Sequence, residues 1–169
     1  MVSFRRRAAE GLQVGDSFTT SRAFSDDELI RFAQISGDYN PVHFDARFAQ
    51  ARNLPGPICH GLLTASLVTE IGGQIGWLAS GMNFRFKRPV YVGETITCSW
   101  VITAIDHDGR AKASATITRE DGATVIEADI SGIVPGVKER KVLSQMLLEG
   151  DPTNSLTAAR QGRAANAET

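Results

Sequence analysis

At 169 residues, with 42% hydrophobic and 22% charged side chains, the chain has the make-up of one globular domain large enough for a true core. A formal net charge of -1 rules out a global basic field for nucleic acid, and two cysteines are too few for a disulfide framework or a zinc cluster. No stretch is long and apolar enough to span a membrane.

The start of the chain is basic. Arg5-Arg6-Arg7 reads as a solvated N-terminus, and the Ala8-Ala9-Glu10 that follows is no secretory apolar run, so a cytoplasmic, reducing setting is the expectation. Cys59 and Cys98, each flanked by apolar residues, read as small buried hydrophobes. Ser17 to Ala23 suits a short strand. Ser25-Asp26-Asp27-Glu28 is a capping box, and Leu29, Ile30, Phe32, Ala33 and Ile35 follow at helical spacing until Gly37 stops the helix. That ending leaves Asp38 at a rigid exit. Asn40-Pro41 turns the chain, and Asp45 to Gln50 suits a short helix with Phe48 inward, broken by Leu54-Pro55-Gly56-Pro57.

From Gly61 to Ile71 the sequence is apolar on more than one helical face, so this helix must be buried, with Gly72-Gly73 as its end. Its polar members Thr64, Ser66, Thr69 and Glu70 are candidates to line a pocket or bond backbone; for Glu70 a paired charge near the helix end is preferred to a base. Period two then recurs in Met82-Phe84-Phe86, Ile96-Cys98-Trp100-Ile102, Ala111-Ala113-Ala115-Ile117 and Ile126-Ala128-Ile130, separated by turn residues. This pattern predicts an antiparallel meander and, with the early strand, about five strands. One buried helix against one curved sheet is an α+β domain. Val142, Leu143, Met146 and Leu147 predict a short amphipathic helix able to dock on the sheet or on a partner subunit, with a loosely held polar tail from Gly150.

The chemistry-bearing stretch is Asp38-Tyr39-Asn40-Pro41-Val42-His43, followed by Pro57-Ile58-Cys59-His60-Gly61. A carboxylate and an imidazole lie in one turn-rich segment, ahead of a helix whose first amides lack intrahelical partners. That is the equipment of an acid/base site with an anion-stabilising corner. Ser36 to His43 resembles the hydratase motif of the MaoC-like, (R)-specific enoyl-CoA hydratases. Pro57 to Ser66 resembles the start of their central helix, and Phe86-Lys87-Arg88-Pro89-Val90 with Gly93-Glu94 the strand and turn beyond it. The resemblance runs from about Gly15 to Val134. It implies a hot-dog fold, an antiparallel sheet wrapped round a long helix, over residues 1–136, with 137–169 an extension.

It also implies hydration of trans-2-enoyl thioesters to (R)-3-hydroxyacyl thioesters, or the reverse, with Asp38 and His43 the catalytic pair. Asp38 is the main base and His43 its partner, both gripping one water. The Gly61 amide donates to the thioester oxygen as charge develops there. Asn40 braces the loop, its side chain bonding local backbone, and Ser66 either touches the thioester or bonds backbone. Lys87 and Arg88 suit the phosphates of coenzyme A, and a solvated strand end accounts for them equally. His60 reads as a structural histidine before the helix and His107 as solvated. No metal or cofactor is expected. An acyl-CoA or acyl-carrier thioester is the expected partner, nucleic acid and membrane are not, and the family is typically dimeric. A hot-dog thioesterase and a non-catalytic acyl-thioester binding protein are the competing readings. Enoyl loss without thiol release separates the first, and any turnover excludes the second.

Overall fold

The structure, a computed structural model, describes residues 3–151 and residue 153. The expected polar tail lies, apart from Gly150, Asp151 and Thr153, outside the described residues. In chain order the elements are α1 (Phe4–Glu10), β1 (Ser17–Arg22), α2 (Asp26–Ser36), a 3-10 turn (Pro41–His43), α3 (Ala46–Ala51), α4 (Gly61–Gln74), β2 (Leu78–Phe86), β3 (Ile96–Ile105), β4 (Arg110–Arg119), β5 (Thr124–Ile133) and α5 (Val137–Leu148). The five strands form one antiparallel sheet in the order β1-β3-β4-β5-β2.

The period-two residues of the last three strands all face the core. Ile96, Cys98, Trp100 and Ile102 on β3 are buried with Ala111, Ala113, Ala115 and Ile117 on β4 and Ile126, Ala128 and Ile130 on β5. Three of the four inward residues on β4 are alanines. Their small side chains leave room for α4, whose Leu67, Val68 and Ile71 are fully buried in the same cluster. Burying each such aliphatic side chain contributes roughly 1.5–3 kcal/mol, so this layer supplies much of the driving force. The expected hot-dog arrangement, a buried helix held by a curved antiparallel sheet, is the one observed.

Several expectations change in detail. The meander holds for β3, β4 and β5, but β2 pairs with β5 at the far edge rather than beside β3. Period two identifies a strand and not its neighbour, and the 87–95 connection, containing Pro89, is too long for a tight hairpin. Helix α4 does not stop at Gly72-Gly73. Both glycines lie inside it, and Gly72 is buried against Trp100 and Trp77, where packing outweighs helix propensity. The arginine run is no loose terminus. It forms α1, capped by Ser3, with Arg7 bound to Asp16 at 2.5 Å and Arg5 to Asp151 at 3.4 Å. Helix α5 docks on α1 rather than on the sheet, through buried Leu143 and through Arg140, which donates to the Glu10 carbonyl. In α3 it is Ala49 that is buried while Phe48 stays exposed under the Arg52 guanidinium, because so short a helix hides only its small-residue face.

Cys59 and Cys98 are both free and buried. Burial pushes the Cys59 thiol up to about 11 and the Cys98 thiol up to about 12, with Glu94 and Glu70 respectively adding to the effect. Neither thiolate is appreciably populated at pH 8, so neither cysteine should react with a small aromatic disulfide until the protein is denatured, when both should titrate. Rapid native-state reaction of either would contradict this packing. No helix among the described residues is long and apolar enough to cross a membrane.

Candidate functional site

The site begins with how α2 ends. Ser25 caps the helix by accepting from the Glu28 amide, and Glu28 reaches back to the Ser25 amide while also pairing with Arg22. Only Leu29 and Ala33 of the expected apolar face are buried, with Phe32 partly so. Ile30 and Ile35 are exposed because the buried stripe is narrow. Gly37 closes the helix in the left-handed region at φ 75°, its amide donating to the Ala33 carbonyl. The chain therefore leaves α2 in one direction, with Asp38 as its first side chain.

Asp38 is then locked into its loop. Its amide donates to Ser36 Oγ, and its Oδ1 accepts from the Asn40 amide at 3.2 Å. Asn40 is the expected brace, its Oδ1 accepting from the Val42 amide to cap the 3-10 turn. That turn delivers His43 with its side chain only 8% exposed and Nε2 3.7 Å from Asp38 Oδ2. His43 Nδ1 lies 2.8 Å from the Ile58 carbonyl, which can only accept, so Nδ1 carries a proton. In the neutral ring Nε2 is therefore a lone-pair acceptor facing the carboxylate. The 3.7 Å gap exceeds a direct hydrogen bond, but one water with arms of about 2.8 Å spans it. Such a water gives one hydrogen to each group and keeps an oxygen lone pair for attack.

His60, expected as a structural histidine before the helix, is buried there and also contacts both members of the pair. It is 1% exposed, its Nε2–H donates to the Asp38 carbonyl at 3.0 Å, and its ring stacks on His43 with centroids 3.9 Å apart and planes 29° apart. Phe32 and Phe44 pack on its other sides. The available signal was its place immediately before Gly61. Burial holds His60 below the ordinary histidine value; the Asp38 carbonyl opposes this, and the neighbouring His43 reinforces it. The unfolded chain thus takes up this proton first, so stability is full above about pH 6.5 and is lost as pH falls through the lower folded value. Melting curves of the wild type should therefore decline from pH 7 to 5, with a smaller decline in His60→Gln. An identical decline in both would remove His60 as a cause.

His60 is also the N-cap residue of α4, and it makes no side-chain cap there. The Gly61 amide is the first of the helix, without intrahelical partner and at the positive end of the dipole. A Cβ on Gly61 would meet the Phe86 ring at 2.9 Å, so only glycine lets Phe86 lie across this corner. Ser66 is half-buried, and its hydroxyl makes no hydrogen bond among the described residues, unlike Thr64 and Thr69, which bond back to the Gly61 and Ser66 carbonyls. Glu70 accepts from Thr20 Oγ1 rather than pairing with a cation. Lys87 and Arg88 are exposed just past Phe86. Lys87 pairs with Glu127 at 3.1 Å and Arg88 donates to the Thr124 carbonyl, and neither contacts the Asp38–His43 pair. His107 is solvated, with 90% of its side chain exposed.

Asp38, His43 and His60 each offer a donor atom within 4.8 Å of the others. A metal centre fits them poorly. His43 Nδ1 and His60 Nε2 are already engaged by carbonyls, and lone pairs in the planes of two stacked rings do not converge at metal–nitrogen distances of about 2.0 Å. An apolar hollow of about 190 Å³ lined by Ile30, Ala33, Gln34, Tyr39 and Phe44 adjoins the loop. A larger one of about 660 Å³ lies on the sheet among residues such as Asn83, Thr103, Lys112 and Asp129 and includes none of the site residues. The paired carboxylate and imidazole lie at the histidine-lined corner and not in the larger hollow.

Known proteins share this framework. The chain is 37% identical over 115 residues to the (R)-specific enoyl-CoA hydratase of Aeromonas caviae, an alignment covering 66% of this chain and 84% of that protein. It is 29% identical over 131 residues to the mitochondrial 3-hydroxyacyl-[acyl-carrier-protein] dehydratase FERN of Solanum lycopersicum, covering 75% of this chain and 79% of that one. The solved (R)-hydratase from A. caviae superposes with a TM-score of 0.69 at 33% identity, over 75% of this chain and 99% of that chain. The model of the MaoC like domain matches residues 10–124, a span that holds the capped helix α2, the Asp38–His43 pair and the whole of α4, and the chain belongs to that family.

Proposed function

We propose that this protein adds water across the double bond of trans-2-enoyl thioesters to give (R)-3-hydroxyacyl thioesters, and catalyses the reverse dehydration. The observation that carries the reading is the approach of Asp38 Oδ2 and His43 Nε2 to 3.7 Å, on a loop tied to the N-terminus of α4. The pair holds a water by both its hydrogens. As its oxygen attacks C3, Asp38 takes a proton, and the enolate charge builds on the thioester oxygen against the Gly61 amide. The proton then returns to C2 from the side on which the water was held. His43 stays aimed because Ile58 fixes its Nδ1–H, and orientation of this kind supplies a large share of the acceleration. No metal or cofactor enters this sequence of steps.

Within this reading Asn40 holds the loop, and the Ser66 hydroxyl faces the acyl thioester. Lys87 and Arg88 meet the phosphates of a coenzyme A or acyl-carrier arm once displaced from their partners on β5. We take residues 1–136 as the hydratase domain, 137–169 as an extension, and the cytoplasm as its compartment. Strand β2 is an edge with Leu78, Met82 and Phe86 exposed, and such an edge favours pairing with the same strand of a second copy. Crotonyl-CoA tests the activity: the expected result is loss of enoyl absorbance with no free thiol. Thiol release would indicate a thioesterase, and no turnover on any enoyl thioester would end the enzymatic reading.

A further inference from the structure

Residues Ile58 to Gly61 act on the pair at three points. The Ile58 carbonyl takes the His43 Nδ1–H, the His60 ring covers His43 and reaches the Asp38 carbonyl, and Gly61 opens α4. The strap is itself fixed, by the Ile58 amide on the Val42 carbonyl at 3.2 Å and the Cys59 amide on the Val90 carbonyl at 2.8 Å. The pair is thus tied to the helix end by the Ile58 backbone and by one side chain, that of His60.

We propose that His60 is a positioning residue for the hydration reaction: one neutral imidazole fixes the Asp38 backbone by its Nε2–H and the His43 ring by face-to-face stacking. The inference rests on the hydratase reading of the pair. The surroundings of His60 impose this state. Asp38 and His43 are the titratable groups that face it, while Phe32 from α2 and Phe44 from the 3-10 turn close it off with apolar rings. Its Nδ1 is buried without a hydrogen-bond partner, a cost that packing alone would not require, since a phenylalanine would fill the space. Retaining a histidine there gains the donor to Asp38 together with a flat ring face against His43.

Two substitutions separate the two contacts. His60→Gln keeps a donor near the Nε2 position and removes the stack. His60→Phe keeps the stack and removes the donor. Each should lower kcat for crotonyl-CoA hydration about tenfold or more while KM stays within about threefold, because misplacement of reacting groups and not substrate affinity is altered. Only His60→Gln should move the limb of the kcat–pH profile that belongs to the pair. Both variants folded, with kcat and pH profile within twofold of wild type, would overturn the proposal.

Should neither variant fold, the wild type still decides. It contains three histidines, so nitrogen-15 histidine spectra are assignable. His60 should show the neutral Nε2-protonated pattern at neutral pH, with ring-to-ring nuclear Overhauser contacts to His43. A His60 protonated at Nδ1 instead, or without contacts to the His43 ring, contradicts the proposal. These spectra need no turnover, so absence of hydration in wild type would refute the hydratase reading without bearing on these contacts.

Discussion

Asp38→Asn should lower kcat for hydration of crotonyl-CoA by about a thousandfold, with the fold intact, because general-base catalysis contributes roughly 10²–10⁴-fold. The substitution is nearly isosteric. Asparagine Oδ1 can still accept from the Asn40 amide, and the residue 38 carbonyl still receives the His60 N–H. The side chain is 47% exposed, so no buried charge is lost and thermal stability should change little. What disappears is an oxygen able to take a proton 3.7 Å from His43 Nε2. Initial rates beside a thermal melt are the check. A folded variant within about tenfold of wild type would remove Asp38 from the proton-transfer step.

Gly61→Ala should have the next largest effect, and it acts on two quantities. The added Cβ would stand 2.9 Å from Phe86 Cε1 and 3.2 Å from Cδ1 and Cζ, so either the ring or the start of α4 must move. Phe86 lies on an edge strand and is half exposed, which keeps the stability cost to about 1–3 kcal/mol. For turnover the change is larger. An amide displaced from the developing oxyanion costs about 10²–10³-fold in kcat. Adding Phe86→Ala should restore much of the stability and little of the rate, since the methyl group still occupies the place where the thioester must approach. Denaturant melts and initial rates on the two single variants and the double variant are the comparison. Full activity in folded Gly61→Ala would mean that this amide does not face the substrate.

Much of the architecture was legible because local signals and tertiary packing agree. The Ser25–Glu28 capping box and Gly37 mark both ends of α2, and thereby fix where Asp38 leaves it. The inward residues of β3, β4 and β5 alternate as their sequence does. What escaped depends on partners distant in sequence. Helix α1 is short and basic, and its standing relies on Asp16 and on α5. Gly72 stays helical because of Trp77 and Trp100, and β2 sits at the edge because α4 delivers the chain there. The site shows the same division. Asp38, Asn40 and His43 form one local loop, readable from their spacing. The roles of Ile58 and His60 depend on the His43 ring and the Asp38 carbonyl, 15 and 22 positions away from them respectively in the chain, which no local pattern contains.

In the proposed mechanism one water, held between the carboxylate and the imidazole, supplies both the hydroxyl and the new hydrogen on a single face of the substrate. Hydration of crotonyl-CoA in deuterium oxide, followed by proton NMR of the product, tests it most directly. The expected product is an (R)-3-hydroxybutyryl thioester with deuterium at C2 on the same face as the hydroxyl at C3. Deuterium on the opposite face, or on both faces equally, would contradict it.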